Sequence, residues 1–521
     1  MIKEQFSNLL HGNYSLDPLE LAAIQREIEA ETLAIDKVQS AIVDLQLQLE
    51  AHEAKRQDYK TLLSPLRRGV VPPEILGEVF RYAIEPVCPV NRVGLVCKSW
   101  RAIALTTPSL WQAVVMFPSD APINVNKLQT WTARAATLPK TVRIVGSNKR
   151  YRCLCRKSEV DNCRLAFPEL IRFFSDGPVL DQVSLQCHTH HCLVRLFGLL
   201  RSDKDTLSRS WDSIRHLALQ IDSWSTPTHG LVRQFLHNLP PVSSLFLDTP
   251  WLPDSDVPSE ILPALPPLDC LTSLHIAGNW PNSWVLRNLR SCPNLEEVIL
   301  NSKQSERVDD VWTEGRTLVS LPKIQVLRFQ HMATHGEDAR ILGWLRMPAL
   351  RILELSYEIP HPFTVQEEDP DTPGKVKLYR DMLRMLSGVD AVVDLQQLRL
   401  VHFPITAKGL LRIFGVLPSL TFLELVTHIG SDSKFFKLAR QVENPLLPQL
   451  RYLKMHDYCG VFDPDDIYQF LRERKATATE ASPDCTERLD MGVNPYNRNS
   501  LHLDESVRAM RGMGILVNIV Y

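Results

Sequence analysis

The sequence MPALRILEL, residues 347–355, contains the pattern from which the fold can be predicted. Its fourth, seventh and ninth residues are leucines, which gives the spacing leucine-x-x-leucine-x-leucine. Side chains alternate between the two faces of a strand, so we expect Leu353 and Leu355 to point into a core and Ile352 and Glu354 to face the other way. The proline near the start of the stretch ends any preceding helix and turns the chain. The stretch therefore predicts a short strand that follows a helix.

The same pattern recurs along the rest of the chain. Its first positions are separated by 24–30 residues, apart from one interval of 45 residues. Units of this length bury their leucines only by stacking on their neighbours, which is typical of a solenoid. The members are Ile214-Leu217-Leu219, Val242-Leu245-Leu247, Leu271-Leu274-Ile276, Leu295-Val298-Leu300, Ile324-Leu327-Phe329, Leu350-Leu353-Leu355, Leu395-Leu398-Leu400, Leu420-Leu423-Leu425 and Leu450-Leu453-Met455, with Leu180-Val183-Leu185 as a candidate earlier member.

This spacing resembles that of leucine-rich-repeat proteins, which stack one short parallel strand and one helix per unit. We therefore predict a degenerate leucine-rich-repeat-like solenoid over residues 116–521, in a chain of the α/β (α+β) class. The long interval contains an acidic stretch with two prolines and a glycine, which predicts a loop inserted at residues 365–375.

Strand residues that alternate with the leucines are expected to form the concave face of the solenoid. A surface that mixes charged and aromatic side chains suits the binding of another protein. The alternative for each residue is a solvated strand position without a binding role. The candidates for binding a client protein are Arg328, Glu354, Arg399, Phe422, Glu424, Tyr452 and Lys454.

A heptad repeat near the start predicts a coiled-coil helix at residues 19–63, after a flexible N-terminus at residues 1–18. Asp17-Pro18 is a good helix start, because Asp caps free backbone N–H groups and Pro fits the first turn. Glu31, His52 and Arg56 interrupt the apolar seam. Two interpretations stay open, a homodimer through the coiled coil and a single helix folded back onto the protein. The seam residues are Leu21, Ile28, Ile35, Ile42, Leu49 and Leu63 at one heptad position and Ile24, Val38, Leu45 and Tyr59 at the other.

Two short apolar helices are predicted between the heptads and the repeats. The first follows two prolines in VPPEILGEVF at residues 71–80, and the second lies in RVGLVCKSWRAIA at residues 92–104, before SLW at residues 109–111. This segment resembles the F-box, with Val71 in place of the opening leucine of that family. The resemblance implies a helical F-box domain at residues 64–115 whose apolar face is completed by a small adaptor that links such proteins to a cullin.

An apolar two-helix unit must bury its surface against something, and a foreign subunit or the solenoid itself could cover it. Carried over from the F-box pattern, the adaptor-binding residues would be Pro72, Glu74, Ile75, Leu76, Phe80, Leu95, Val96, Cys97, Trp100 and Ile103. The resemblance implies a substrate-recognition subunit of an SCF-type cullin-RING ubiquitin ligase that holds an unknown client on its solenoid. The alternative is a coiled-coil and solenoid scaffold with no part in ubiquitination.

Composition excludes several classes of partner. The chain of 521 residues has 58 basic and 60 acidic side chains, a formal charge of −2, so it lacks the basic excess that nucleic acid or an anionic membrane surface requires. No secretory signal or bilayer-spanning run is found. Eleven cysteines without framework spacing favour a reducing compartment, and we expect a cytoplasmic or nuclear protein.

No sequence motif indicates catalysis or cofactor binding. No phosphate-binding glycine loop, nucleophile elbow or metalloprotease helix is found, so we expect neither catalytic residues nor a cofactor. Lone Cys97 is expected in an apolar helix, which does not activate a thiol. A zinc-dependent module is the third hypothesis, although the spacing matches no common zinc finger, and its ligands would come from Cys153, Cys155, Cys163, Cys187, His190 and Cys192.

Overall fold

The computed structural model defines the fold of most of the chain. The residues it describes are 17–63, 71–84, 90–116, 125–145, 165, 167–202, 210–223, 239–249, 265, 268–278, 280, 282–302, 318–332, 337–357, 373–387, 393–402, 405–427, 435–442, 446–457, 463–477, 486–493 and 501–520. No helix in these ranges is both long enough and apolar enough to cross a bilayer.

The first element is one long helix, α1 (Pro18–Leu63). Pro18 occupies the first turn, as the sequence predicts, and the backbone N–H of Asp17 donates to Glu20 Oε2 at 3.2 Å. All of α1 lies within the described residues, and none of its 46 residues is buried. The interpretation of a helix folded back onto the protein is therefore wrong, because a packed helix would bury one face.

Three short helices follow, α2 (Pro73–Ala83), α3 (Asn91–Gly94) and α4 (Lys98–Thr106), and then a 3₁₀ turn at Pro108–Trp111. A second helix was predicted to run through residues 92–104. The chain instead leaves the helix at Leu95 and begins α4 after Cys97, whose Sγ accepts a hydrogen bond from the N–H of Trp100 at 3.4 Å. Cys97 is thus a helix cap and does not lie inside a helix.

In the part of the remaining chain that the structure describes, the strands form one parallel sheet of 14 strands, in which each strand pairs with its neighbours in chain order apart from two that form a separate small sheet. This is the solenoid that the repeats predict. The strands of the large sheet are β1 (Ala113–Met116), β2 (Thr141–Val145), β3 (Gln182–Thr189), β4 (His216–Ser223), β5 (Ser244–Asp248), β6 (Ser273–Ala277), β7 (Glu297–Asn301), β9 (Val326–Met332), β11 (Ile352–Tyr357), β12 (Gln397–Val401), β13 (Phe422–Thr427), β14 (Tyr452–Asp457), β15 (Arg488–Val493) and β16 (Leu516–Val520); β8 (Val319–Ser320) pairs with β10 (Leu345–Arg346).

Helices and 3₁₀ turns connect many of the strands. The helices are α5 (Val125–Arg134), α6 (Pro168–Asp176), α7 (His190–Ser202), α8 (Asn282–Arg290), α9 (Pro373–Leu386), α10 (Ala407–Gly415), α11 (Phe435–Ala439), α12 (Pro464–Thr477) and α13 (Leu501–Gly512), with 3₁₀ turns at Ser210–Ser213 and Glu337–Trp344. Together with the strands they enclose one hydrophobic core that extends from Val114 to Val517.

The leucines lie in register across the sheet. Leu353 pairs with Leu327 on one side and with Leu398 on the other, and all three are 0–1% exposed. Ile352 and Glu354 lie on the other side of β11 and are partly exposed. The inward and outward alternation predicted from residues 347–355 is therefore confirmed.

Two details differ from the sequence-based expectations. The sheet contains four strands that the repeat pattern did not predict, β1 and β2 at one end and β15 and β16 at the other. The loop predicted at residues 365–375 lies outside the described residues up to residue 372, and residues 373–375 already belong to α9.

Candidate functional site

Helix α2 has two apolar faces, and they lie in different environments. Leu76 and Phe80 are 4% and 2% exposed and belong to a small core. Ile75, Val79 and Tyr82 lie on the other face, at helical spacing, and are 56%, 50% and 80% exposed. The expectation that Leu76 and Phe80 form part of the exposed face is wrong, because both side chains complete the interior of the helical unit itself.

Aromatic contacts hold that interior together. The rings of Phe80 and Trp100 have centroids 4.8 Å apart and are inclined at 52°. Trp111 is buried, and its Nε1–H donates to the carbonyl oxygen of Ala104 at 2.7 Å. This bond satisfies the indole donor that burial would otherwise leave without a partner, and so it fixes the 3₁₀ turn against α4.

A second exposed apolar group lies at the turn between α3 and α4. Leu95 and Val96 are 76% and 61% exposed, and Cys97 is exposed beside them. Exposed large apolar side chains that lie together are typical of a surface that binds another molecule. We call the set Ile75, Val79, Tyr82, Leu95 and Val96 the open apolar face.

The ten residues carried over from the F-box pattern are thus divided by the structure. Six are exposed, two are half-buried and two are buried. The exposed ones are Pro72, Glu74, Ile75, Leu95, Val96 and Cys97, the half-buried ones Trp100 and Ile103, and the buried ones Leu76 and Phe80. The ten residues do not include Val79 and Tyr82, although their spacing of four and seven residues from Ile75 places them on its helical face.

The helical unit and the solenoid share a boundary without a gap. Trp131 of α5 packs against both hydrophobic cores, and its ring centroid is 6.1 Å from that of Trp111. Arg134 lies over the Trp111 ring at 4.5 Å, and Ala135, fully buried, belongs to the core of the helical unit. The open apolar face is therefore held in a fixed position relative to the first strands of the sheet.

On the sheet, the side chains opposite the leucine core form a row of alternating charge. Within each cross-strand pair the two residues have opposite sign, from β9 to β15. The row consists of Arg328, Glu354, Arg399, Glu424, Lys454 and Asp490. We call it the charged ladder.

The members of the charged ladder are paired with one another. Arg399 Nη1 lies 3.3 Å from Glu354 Oε1, and Arg399 Nε lies 3.1 Å from Glu424 Oε2. Lys454 Nζ lies 3.1 Å from Glu424 Oε1. The Glu424 side chain is only 6% exposed, whereas that of Arg399 is 44% exposed, so the bases cover the acids.

The last acid of the ladder is the most strongly held. Asp490 accepts hydrogen bonds from Arg488 at 2.8 Å, from Asn518 at 2.8 Å and from the hydroxyl of Tyr452. Burial is the largest single effect and would raise the pKa of Asp490, but the hydrogen bonds from Arg488, Tyr452 and Asn518 together lower this pKa to about 2. Burial, together with the bond to Asp490, raises the pKa of Tyr452 to about 12.

The predicted client-binding residues all lie on this face, but not all of them are exposed. Glu424 was expected to face solvent and is 5% exposed, because Arg399 and Lys454 lie over it. Phe422 and Tyr452 pair across β13 and β14 with ring centroids 5.0 Å apart, in an edge-to-face contact. Arg488 lies over the Tyr452 ring at 4.8 Å.

The proposed zinc ligands are only partly described. Cys187 and Cys192 are buried, and Cys153, Cys155 and Cys163 lie outside the described residues. Among the residues that are described, no group of three His, Cys, Asp or Glu side chains is arranged to hold a metal ion. Burial raises the pKa of another thiol, Cys292, to about 11, so this cysteine is an unreactive part of the core.

One comparison with known proteins identifies the helical unit. A family model described as F-box-like matches residues 69–116, and the chain therefore contains an F-box-like domain that ends with the last residue of β1. A search of curated proteins found no matching relative. Among solved structures, a chain from "Crystal structure of Rad7 and Elc1 complex in yeast" matches with 14% identity and a TM-score of 0.29, over 79% of this chain and 94% of that one.

Proposed function

We propose that this protein is a substrate-recognition subunit of an SCF-type cullin-RING ubiquitin ligase, acting in the cytoplasm or nucleus. The observation that carries the proposal is the open apolar face on the F-box-like domain at residues 69–116. Five large apolar side chains on so small a domain are costly to leave in water, and a docked adaptor would bury them. The adaptor would in turn bind the cullin.

The F-box-like domain would bind with the residues that the fold leaves accessible. Ile75, Val79 and Leu95 would be central contacts, since exposed aliphatic side chains on a rigid support give up little conformational entropy on binding. Leu76, Phe80 and Trp100 would act indirectly, by holding α2 and α4 in the orientation that presents those contacts.

The solenoid would hold the client. Its open sheet face is long and offers Phe422 and Tyr452 as aromatic contacts beside the exposed guanidinium groups of Arg399 and Arg488. Aromatic and arginine side chains are the ones most enriched among residues that dominate binding energy. Glu354 and Glu424 would contribute mainly by positioning those bases.

No catalytic group is required of this protein in such a role. By holding a client lysine near a charged conjugating enzyme, the receptor raises its effective concentration, and proximity alone accelerates transfer. The fixed junction at Trp131 supports this mechanism, because a rigid link keeps the distance between adaptor and client constant.

Capture of the F-box adaptor by the full-length protein tests the proposal. The variants Val79→Asp and Leu95→Asp place a charge in the open apolar face, and each should weaken adaptor binding at least about tenfold. Matched controls are Val179→Asp and Leu318→Asp, which change residues of the same types that are 70% and 57% exposed elsewhere. These two should bind like the unaltered protein.

Two results would reject the proposal. If the unaltered protein captures no adaptor at micromolar concentration, the chain is better described as a scaffold that takes no part in ubiquitination. If Val79→Asp and Leu95→Asp capture the adaptor like the unaltered protein, the adaptor contacts a different surface. Circular dichroism of each variant establishes that the fold is intact.

A further inference from the structure

Helix α1 presents an exposed apolar seam that is interrupted at Glu31, His52 and Arg56. The seam residues Ile28, Ile35, Ile42 and Leu49 are 48–60% exposed, and the second heptad position adds Leu45 at 63%. With 46 residues at 1.5 Å each, the helix is about 69 Å long. A seam of this length in a strict seven-residue repeat fits another helix with the same repeat.

We infer that α1 pairs with α1 of a second copy of this chain in an antiparallel coiled coil centred near residue 40. The pairing uses α1 alone and goes beyond adaptor and client binding. The charges along α1 indicate which helix pairs with it and in which direction.

A parallel pair would place like residues together. In register, Glu31 would face the partner's Glu31, and His52 and Arg56 would each face their own copies within the seam. The flanking Lys55 would also lie beside the partner's Lys60, because residues five apart meet across a parallel pair. Charges of one sign in or beside a seam oppose association, so the parallel arrangement is disfavoured.

An antiparallel pair removes each of these conflicts. Centred near residue 40, it packs Val38 against the partner's Ile42 and Ile35 against the partner's Leu45. The polar seam residues then meet aliphatic ones, against which the Arg stem and the imidazole ring can pack without facing their own copies. The pairs are Glu31 with the partner's Leu49, His52 with the partner's Ile28 and Arg56 with the partner's Ile24.

The flanking positions become complementary in the same arrangement. Glu27 lies beside the partner's Lys55, and this contact occurs twice by symmetry. The small side chains Ala34 and Ala41 lie on the same flank near the centre, where they allow the two backbones to approach closely.

The overall charge of the two helix ends follows the same trend. Residues 18–31 contain four acidic and one basic side chain, whereas residues 52–63 contain three basic and two acidic ones. Antiparallel pairing brings these ends together, and parallel pairing separates them. Charge complementarity thus selects both the partner, a second copy, and the direction.

The antiparallel direction has a consequence for the assembly. Each F-box-like domain follows the C-terminal end of its α1, so the two domains would lie at opposite ends of a rod about 70 Å long. A parallel dimer would instead place them side by side. Two adaptor-binding domains held this far apart could engage two ligase cores without steric conflict.

Sedimentation equilibrium of the full-length protein tests the pairing by charge reversal. Glu27→Lys and Lys55→Glu should each weaken the dimer about tenfold, since each turns two attractive contacts into repulsive ones. The double variant should recover most of the affinity, because it restores attraction with the signs exchanged. Glu29→Lys is the matched control, since position 29 points away from the seam, and its dimer should be unchanged.

Other outcomes overturn the inference. Monomer alone at micromolar concentration rejects self-association through α1. A dimer that is tightened by Lys55→Glu and indifferent to Glu27→Lys is parallel, because only then does position 55 face Lys60. If neither substitution changes the dimer affinity, the dimer is formed by contacts elsewhere on the chain.

Discussion

Arg399 and Glu424 occupy the same register position on the neighbouring strands β12 and β13, with Nε 3.1 Å from Oε2. The contact joins two successive units of the solenoid. Glu424 also forms an ion pair with Lys454 on the next strand, so one buried carboxylate connects three strands. Because a solenoid is stabilised by its nearest-neighbour interfaces, the charged ladder should contribute to stability along β9–β15.

Glu424→Gln should lower the free energy of unfolding by about 2 kcal/mol, since it removes a carboxylate that is only 6% exposed and that pairs with both Lys454 and Arg399. Chemical denaturation measures this change. The control is Glu487→Gln, whose partner Arg451 lies 3.9 Å away with both side chains more than 60% exposed. That variant should change stability by less than about 0.5 kcal/mol, and equal losses in the two variants would contradict a role for burial.

Asp490 predicts an acid-dependent loss of stability. Its pKa is about 2 in the fold against an ordinary value of 3.8, so the folded state favours the ionised form. The resulting stabilisation is fully present above about pH 4 and is lost as the pH falls towards 2. We expect it to be about 1 kcal/mol, because solvent screens part of the interaction.

Denaturation of the protein and of Asp490→Asn at several pH values measures the stabilisation that ionised Asp490 contributes. The difference in unfolding free energy between the two should be constant from pH 7 to about pH 4 and should shrink towards pH 2. A difference that does not change over this range would show that the hydrogen bonds to Asp490 do not favour its charged form.

The leucine alternation made the strands in the centre of the solenoid predictable. The last two strands were not predicted, because the first apolar residue of the pattern is missing there. In β15, Leu489 and Met491 keep the two inward positions, but Thr486 stands where the pattern has its first apolar residue. In β16, that position is Gly514. In these two units only the two inward-facing apolar residues of the strand could have indicated the repeat. The strands still form without the first apolar residue, because pairing with a neighbouring strand compensates for that lost contact.

The open apolar face was only half predictable. Along α2 the sequence contains two apolar stripes one residue apart, Ile75 with Val79 and Leu76 with Phe80. Helical periodicity finds both stripes but does not say which of them faces inward. That choice depends on Trp100, which follows an irregular connection and packs on Phe80 in three dimensions.

Phe80→Ala should therefore mainly reduce the stability of the domain, whereas Val79→Ala should mainly reduce adaptor binding. Phe80 is 2% exposed, so its loss should destabilise the F-box-like domain by about 3–4 kcal/mol. Val79 is 50% exposed, so its loss should change stability by less than about 0.5 kcal/mol while still weakening adaptor capture. Thermal unfolding measures the first quantity. Similar melting temperatures for the two variants would show that Phe80 does not support the domain.

A close contact between a glycine and an imidazole ring near the end of the sheet gives a further prediction. A Cβ at Gly492 would lie 2.5 Å from Nδ1 of His456 on the neighbouring strand, closer than van der Waals contact permits. Gly492→Ala should cost about 1–3 kcal/mol, since the imidazole must move. Gly415→Ala, where nothing lies within 4 Å, is the control and should be neutral or slightly stabilising. Denaturant midpoints compare the two.

Trp131 connects the two hydrophobic cores, and its removal should loosen both. The ring packs against Trp111 of the F-box-like domain and against the first units of the solenoid. Trp131→Ala should lower stability by about 2–3 kcal/mol, because it opens a cavity between the two cores. Hydrogen exchange should then speed up in α2–α4 as well as in β1 and β2. Tyr82→Ala, which removes an aromatic ring that is 80% exposed, should leave exchange at the junction unchanged. Faster exchange confined to the solenoid would mean that the F-box-like domain keeps its own stability and moves independently, and the fixed spacing between adaptor and client would then be lost.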